Sequence, residues 1–260
     1  MEIELRNSRW TTGLAAIVAA AAAFAADLPS AKAQPPAPSA PVFSWTGFYL
    51  SADVGGGWTR DKTVVVPGSP PLDIVYLNGS GAVVGPRVGY AMQFDGGLVI
   101  GAEADFEAGS IAAKTDKFTD YDPFSGYPPG TVVSGEAESR ETIPRQGSLR
   151  AQLGYAVGNA LVYGTGGLAV ARIDTRYSWL NGDPDVDSFS RSRAGWTLGA
   201  GFEYALDRNW SVRGEYRYTK FNGFTDPLRN SPLGLDCCNP AVHDPVESAI
   251  RFGVAYKINP

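Results

Sequence analysis

From Trp45 onward apolar and polar residues alternate with a period of two, which restricts the chain to strands with one greasy and one polar face. Between Trp210 and Phe221, Val212, Tyr216 and Tyr218 share one face, while Ser211, Arg213, Glu215, Arg217 and Thr219 share the other. A helix would scatter those charges around its axis. The same pattern sets Leu98, Ile100 and Phe106 against Gly101, Glu103 and Asp105. It sets Leu149, Leu153, Tyr155 and Val157 against Ser148, Arg150 and Gln152, and Trp196, Leu198, Phe202 and Tyr204 against Thr197, Gly199, Gly201 and Glu203. Phe48, Leu50, Val54 and Trp58 oppose Tyr49, Ser51 and Asp53; Ile250, Phe252, Val254 and Tyr256 oppose Arg251, Gly253 and Lys257. Segments 82–92, with Val84, Val88 and Tyr90 against Arg87, and 161–173 bring the expected total to eight strands. An even number suits a closed antiparallel barrel, which leaves no strand edge unpaired.

The connections alternate in length. Turns at 93–96, 158–159 and 207–209 are short, those at 59–79, 108–144 and 222–246 are long, and one at 181–190 is intermediate. Short periplasmic turns and long extracellular loops are the asymmetry of a transmembrane barrel. Which face meets lipid follows from the side chains. Trp45, Phe48, Trp58, Tyr155, Trp196, Tyr204, Trp210 and Tyr256 lie near strand ends on apolar faces, as interfacial girdles require. The polar faces carry Gly and charges of both signs, which suit a crowded lumen. The expected fold is therefore all-β, an eight-stranded antiparallel transmembrane barrel, with apolar residues outward.

The N-terminus predicts export. Arg6 and Arg9 precede an apolar run from Leu14 to Ala26, with small residues flanking Phe24. That run, about 13 residues, is short of the roughly 20 that span a bilayer as a helix. The expected organisation is a signal peptide over 1–25, a Pro-rich spacer over 26–43 and a barrel over 44–260. The formal net charge of −5 argues against a nucleic-acid partner, which needs a concentrated excess of Lys and Arg.

Inside the barrel the sequence places Asp53, Arg87, Glu103, Asp105, Arg150, Glu203, Arg213, Glu215, Arg217 and Arg251. Their signs nearly balance, so a salt-bridged plug is expected over an ion pathway, because an unpaired buried charge costs several kcal/mol. The carboxylates Glu103 and Asp105 face one way, but no nucleophile accompanies them. The one histidine, His243, falls in the last loop, so no hydrolase is expected. Cys237 and Cys238 are candidates for a loop disulfide in an oxidising compartment; with Asp236 and His243 they match no zinc spacing, and no metal or cofactor is expected. Gly164-Thr-Gly-Gly167 precedes no helix and relieves crowding rather than cradling phosphate.

Six segments in order resemble the small alphaproteobacterial outer-membrane β-barrel proteins, the porin-like group. They are Trp45-Thr-Gly-Phe-Tyr-Leu50, Gly97-Leu-Val-Ile-Gly-Ala-Glu-Ala-Asp-Phe106, Ser148-Leu-Arg-Ala-Gln-Leu-Gly-Tyr155, Leu161-Val-Tyr-Gly-Thr-Gly-Gly-Leu168, Ala194-Gly-Trp-Thr-Leu-Gly-Ala-Gly-Phe-Glu-Tyr204 and Asn209-Trp-Ser-Val-Arg-Gly-Glu-Tyr-Arg-Tyr218. The resemblance implies an eight-stranded barrel in the cell outer membrane of a Gram-negative bacterium, and no catalytic residues. The chain departs from the group at its end, where Ile258 stands in place of an aromatic residue read by the barrel-assembly machinery. The partners expected are outer-membrane lipid, lipopolysaccharide and that machinery. The function expected is structural, a contribution to envelope integrity. The alternatives are a narrow porin, or an adhesin or binder of a small ligand such as haem whose loops carry Phe118, Tyr121, Phe124 and Tyr127.

Overall fold

A computed structural model describes residues 43–65, 73–114, 118–120, 135–179, 186–228 and 239–258. The expected leader, and the spacer as far as residue 42, lie outside the described residues. The strands are β1 (Gly47–Val65), β2 (Asp73–Gln93), β3 (Leu98–Lys114), β4 (Phe118–Asp120), β5 (Gly135–Val157) and β6 (Ala160–Trp179), followed by β7 (Val186–Ala205), β8 (Trp210–Phe221), β9 (Phe224–Leu228), β10 (Asn239–His243) and β11 (Pro245–Ile258). Every pairing is antiparallel. The ring runs β1-β2-β3-β5-β6-β7-β8-β11 and closes on β1, from Phe48↔Ile258 to Asp61↔Pro245. At one end β9 continues β8, and β10 leads into β11 while pairing with β1. The barrel thus has eight staves.

Burial alternates along every stave, and the alternation has the polar side inward. On β8, Ser211, Arg213, Glu215, Arg217 and Thr219 are buried while Trp210, Val212 and Tyr216 are exposed. On β1, Phe48, Leu50, Val54 and Trp58 face outward with 44 to 61 % of their surface exposed, opposite buried Ser51, Asp53 and Thr59. A continuous exposed apolar belt of this kind is stable in hydrocarbon, where closure also satisfies every backbone amide internally.

One end carries tight turns. Phe94 N donates to Leu98 O at 2.7 Å, and Gly96 and Gly97 have φ of 86° and 92°. Asn159 and Gly158 (φ 59°) make a second, and in the third the Asp207 carboxylate accepts from the amides of Asn209 and Trp210 at 2.8 Å each. At the other end the staves outrun the belt. β1 extends to Val65, β2 begins at Asp73, β3 reaches Lys114 and β5 begins at Gly135. Much of the length expected as loop at 59–79, 108–144, 181–190 and 222–246 is therefore strand. The reason is visible on β1, where Arg60 and Lys62 point out and Asp61 and Thr63 point in. Above the belt both faces are polar, so the alternation that marks a strand disappears although the ladder continues.

Pro144 sits where that ladder slips. Register shifts occur between Ala108 and Ile111 against β5, and between Thr142 and Arg145 against β6. Proline has no amide to donate, so a bulge is where a strand tolerates it. The extra residue changes parity: Glu141 and Ile143 face inward before the slip, and Gln146, Arg150 and Gln152 after it.

Candidate functional site

The lumen is filled in layers. At the tight-turn end, Phe43, Trp45, Ala91, Val99, Leu161 and Tyr163 pack together with Ala156 and Ala205. Phe43 and Trp45 meet edge to face at 4.7 Å. A void of about 20 Å³ remains beside Trp45, Tyr49 and Glu203, room for about one water. Trp45 therefore packs inside this end of the barrel, 6 % exposed, and does not join the girdle expected of it. It precedes β1 on the phase of Ser51 and Asp53, so the period of two puts it inside; its aromatic character and its place at a strand end, not its phase, are what suggest a girdle. The other seven girdle residues, Phe48, Trp58, Tyr155, Trp196, Tyr204, Trp210 and Tyr256, are exposed on the barrel exterior.

Above this apolar cluster lies a charged layer that brings the ten expected lumen residues together. All are buried, none above 8 % exposed. Arg87 Nε donates to Asp53 at 2.8 Å and Arg87 Nη1 to Glu215 at 2.9 Å. Arg150 reaches Glu215 at 2.8 Å, Asp105 at 3.1 Å and Glu103. Arg217 Nη2 bridges Asp105 and Glu215, each at 3.0 Å. Arg213 lies 5.0 Å from the Tyr163 ring centroid, donates to the Tyr163 hydroxyl at 2.7 Å, and stands 4.0 Å from Glu203. Tyr49 OH donates to Glu103 at 2.9 Å. Glycines make room for these groups: a Cβ on Gly253 would collide with the Asp53 carboxylate, and one on Gly201 with the Tyr163 hydroxyl.

Two acids of this layer were not anticipated. Glu107 takes Arg251 in a bidentate grip at 2.6 and 2.8 Å, and Glu247 lies 3.4 Å from Arg251 and accepts from Gln146 at 3.0 Å. Glu107 continues the phase of Glu103 and Asp105 by one more period, a signal the sequence does carry. Higher still, Val83, Ile111, Ile143, Ile173, Phe221 and Phe224, with Ala169 and Ala171, form a second apolar layer across the lumen.

Beyond that layer and beyond the belt, the strand extensions assemble a further polar group. His243 is not in a loop; it belongs to β10 and is fully buried. Its Nδ1 lies 2.5 Å from Asp61 and 3.1 Å from the Thr63 hydroxyl, its Nε2 lies 2.7 Å from the Tyr177 hydroxyl, and Phe224 stacks on its ring at 4.5 Å. Asp226 approaches Nε2 at 3.8 Å and pairs with Arg191 at 2.7 Å. Burial pushes the Glu141 carboxyl well above the usual range, and the charges of Asp61 and Asp226 push it further the same way. Asp226 is raised by burial too, against the pull of His243 and Arg191. Asp61, Glu141 and His243 offer ligand atoms within 4.8 Å of one another, so these three could hold a metal ion.

Of the residues expected to bind through loops, Phe118 lies in β4, its backbone paired with Ala137 of β5. Tyr121, Phe124 and Tyr127, and the disulfide candidates Cys237 and Cys238, lie outside the described residues.

Comparison with known proteins agrees with this architecture. The family described as outer membrane protein beta-barrel domain matches residues 12–257. The 31 kDa outer-membrane immunogenic protein of Brucella melitensis is 37 % identical over 262 residues, covering 94 % of this chain and 98 % of the relative. The 22 kDa outer membrane protein of Rhizobium leguminosarum bv. viciae is 32 % identical over 223 residues, covering 85 % of this chain and 82 % of the relative. Among solved structures, the outer membrane protein OprG of Pseudomonas aeruginosa is 14 % identical with a TM-score of 0.49, covering 84 % of this chain and 99 % of that one. The chain belongs to the outer membrane protein beta-barrel domain family, alongside these alphaproteobacterial relatives, and is a protein of the Gram-negative outer membrane.

Proposed function

We propose that this outer-membrane barrel is a structural, non-catalytic component of the envelope whose lumen is closed to solutes. The observation that carries this reading is the layering: an apolar stopper, a compensated charged layer and a second apolar layer fill the interior in sequence. In such a reading the exterior does the work. The apolar belt anchors the protein in lipid, and a collar of exposed cations stands where the belt ends on the long-loop side. Arg140, Arg172 and Arg176 line a cleft there of about 420 Å³ with Ser188, Ser190 and Asp174, which pairs with Arg172 at 3.0 Å; Lys114 stands on the adjoining β3, and Arg60 and Lys62 stand further round on β1. Guanidinium and ammonium groups at that height suit the phosphates of lipopolysaccharide. The 1–25 leader would direct export and be removed, and the barrel-assembly machinery would insert the folded staves.

The test is deletion of the gene in its own bacterium. The expected result is increased sensitivity to detergent and to bulky antibiotics, restored by the wild-type chain; an envelope as tight as before would refute the reading. A second reading, contact with a host factor or a small ligand such as haem, draws on the relatives' description as immunogenic, which fits a surface met from outside. Removing residues 116–127 separates the two. Lost ligand or cell binding with an intact barrel supports the second, and unchanged binding refutes it.

A further inference from the structure

Three carboxylates converge beside His243 in a place where little balances them. Asp61 and His243 are fully buried and Glu141 is 1 % exposed. Asp226 has Arg191 as its cationic partner, and the Asp61 carboxylate accepts from Thr63 at 3.1 Å and from the Asp244 amide at 2.7 Å. Glu141 is different. Among the described residues neither of its oxygens accepts a hydrogen bond from a charged or neutral donor; its contact is the Asp61 carboxylate, which can be a hydrogen bond only when the two share a proton. Two carboxylates and an imidazole thus face one another in a water-poor pocket, carried by strands β1, β5 and β10.

We propose that Asp61, Glu141 and His243 form a binding site for a divalent transition-metal cation of the zinc type at the extracellular end of the barrel. The donor set selects the class. Calcium and magnesium take oxygen ligands, whereas an imidazole nitrogen with two carboxylates suits zinc and its first-row neighbours. Tyr177 engages Nε2, which leaves Nδ1 for the metal and fixes the ring's orientation, as an outer partner of a metal-bound histidine does. Zinc holds nitrogen and carboxylate ligands at about 2.0–2.2 Å, so donor atoms about 3–3.5 Å apart surround it. Atoms already within 4.8 Å reach that arrangement through small side-chain shifts. The Thr63 hydroxyl, 3.1 Å from Nδ1, stands beside the remaining position.

The experiment uses the full mature chain folded in detergent, stripped with a chelator and dialysed against zinc at neutral pH, with metal counted per chain. About one zinc per chain is expected, unmoved by millimolar calcium. Glu141→Gln and His243→Ala should each weaken uptake at least about tenfold. Gel mobility with and without heating checks that each variant is folded, and Asp61→Asn replaces either one that is not. The double variant Cys237→Ser, Cys238→Ser should keep the metal. Absence of stoichiometric uptake, uptake unchanged in folded Glu141→Gln and His243→Ala, or uptake that vanishes with the cysteines would each overturn the proposal.

Discussion

Replacing Glu215 by Gln removes one negative charge from the centre of the lumen and keeps the side chain's size. In the native barrel this carboxylate accepts from Arg150 at 2.8 Å, Arg87 at 2.9 Å and Arg217 at 3.0 Å, with Arg213 at 3.4 Å. Around it lie the guanidinium groups of Arg87, Arg150, Arg213, Arg217 and Arg251 and the acids Asp53, Glu103, Asp105, Glu107, Glu203 and Glu247, none more than 8 % exposed. The amide takes away the carboxylate that Arg150, Arg87 and Arg217 each reach within 3.0 Å, in a site that water barely reaches. A hydrogen bond to a charged group is worth about 1.5–3 kcal/mol net. The amide oxygen retains part of that, and orphaning one partner of a buried pair costs about 3–5 kcal/mol. We expect a loss in that range. With a denaturant slope of about 3 kcal/mol/M, the urea midpoint should fall by about 1–1.7 M. Tryptophan fluorescence and gel mobility of the barrel in detergent would follow the transition. Adding Arg150→Met removes the guanidinium that lies nearest Glu215, at 2.8 Å, so the double variant should regain at least about 1 kcal/mol over Glu215→Gln alone. A Glu215→Gln barrel within about 0.5 kcal/mol of wild type, or an Arg150→Met change that adds its full cost on top, would refute the idea of a compensated layer.

Other substitutions probe the remaining layers. Leu153→Arg, at an outward position of β5 that is 59 % exposed, should cost about 2–4 kcal/mol if that face meets hydrocarbon; a neutral effect on refolding into vesicles would place the face in water. Trp45→Ala should cost about 3–5 kcal/mol in the same urea titration, as loss of a buried Trp does, and should open no conductance because the charged layer lies beyond it. A loss well under 1 kcal/mol would show that the stopper does not pack as described. Gly253→Val forces a side chain onto the Asp53 carboxylate that holds Arg87 and should cost about 1–3 kcal/mol. Asp53→Ala in the same chain should relieve part of that strain, and strictly additive costs would argue against the clash.

The staves within the belt were legible because a side-chain period of two is rigid: once Arg213 is inside, Glu215 and Arg217 must be, and Arg251 follows from its own alternation. At Trp45 the period is right and the residue type misleads: it lies on the inward phase of Ser51 and Asp53, and only its aromatic character at a strand end suggests the girdle. The rule fails where its premise lapses. Asp61 and Glu141 lie above the belt, where outward residues such as Arg60, Lys62 and Arg140 are as polar as inward ones. Pro144 looked like the end of a loop because a proline interrupts a ladder, yet here it occupies a bulge that the ladder crosses. His243 lies between Pro240 and Pro245, which punctuate the sequence as a loop would, while the pairing of β10 with β1 and β9 holds the histidine inside. No local pattern joins Asp61, Glu141 and His243; only barrel closure does.

The central claim is that the lumen is sealed by its own side chains. Single-channel recording of the purified wild-type barrel in a planar lipid bilayer tests it most directly. The layered interior predicts no steady conductance at any applied potential the bilayer survives. Reproducible open channels of uniform size, from protein whose gel mobility shows it folded, would contradict it.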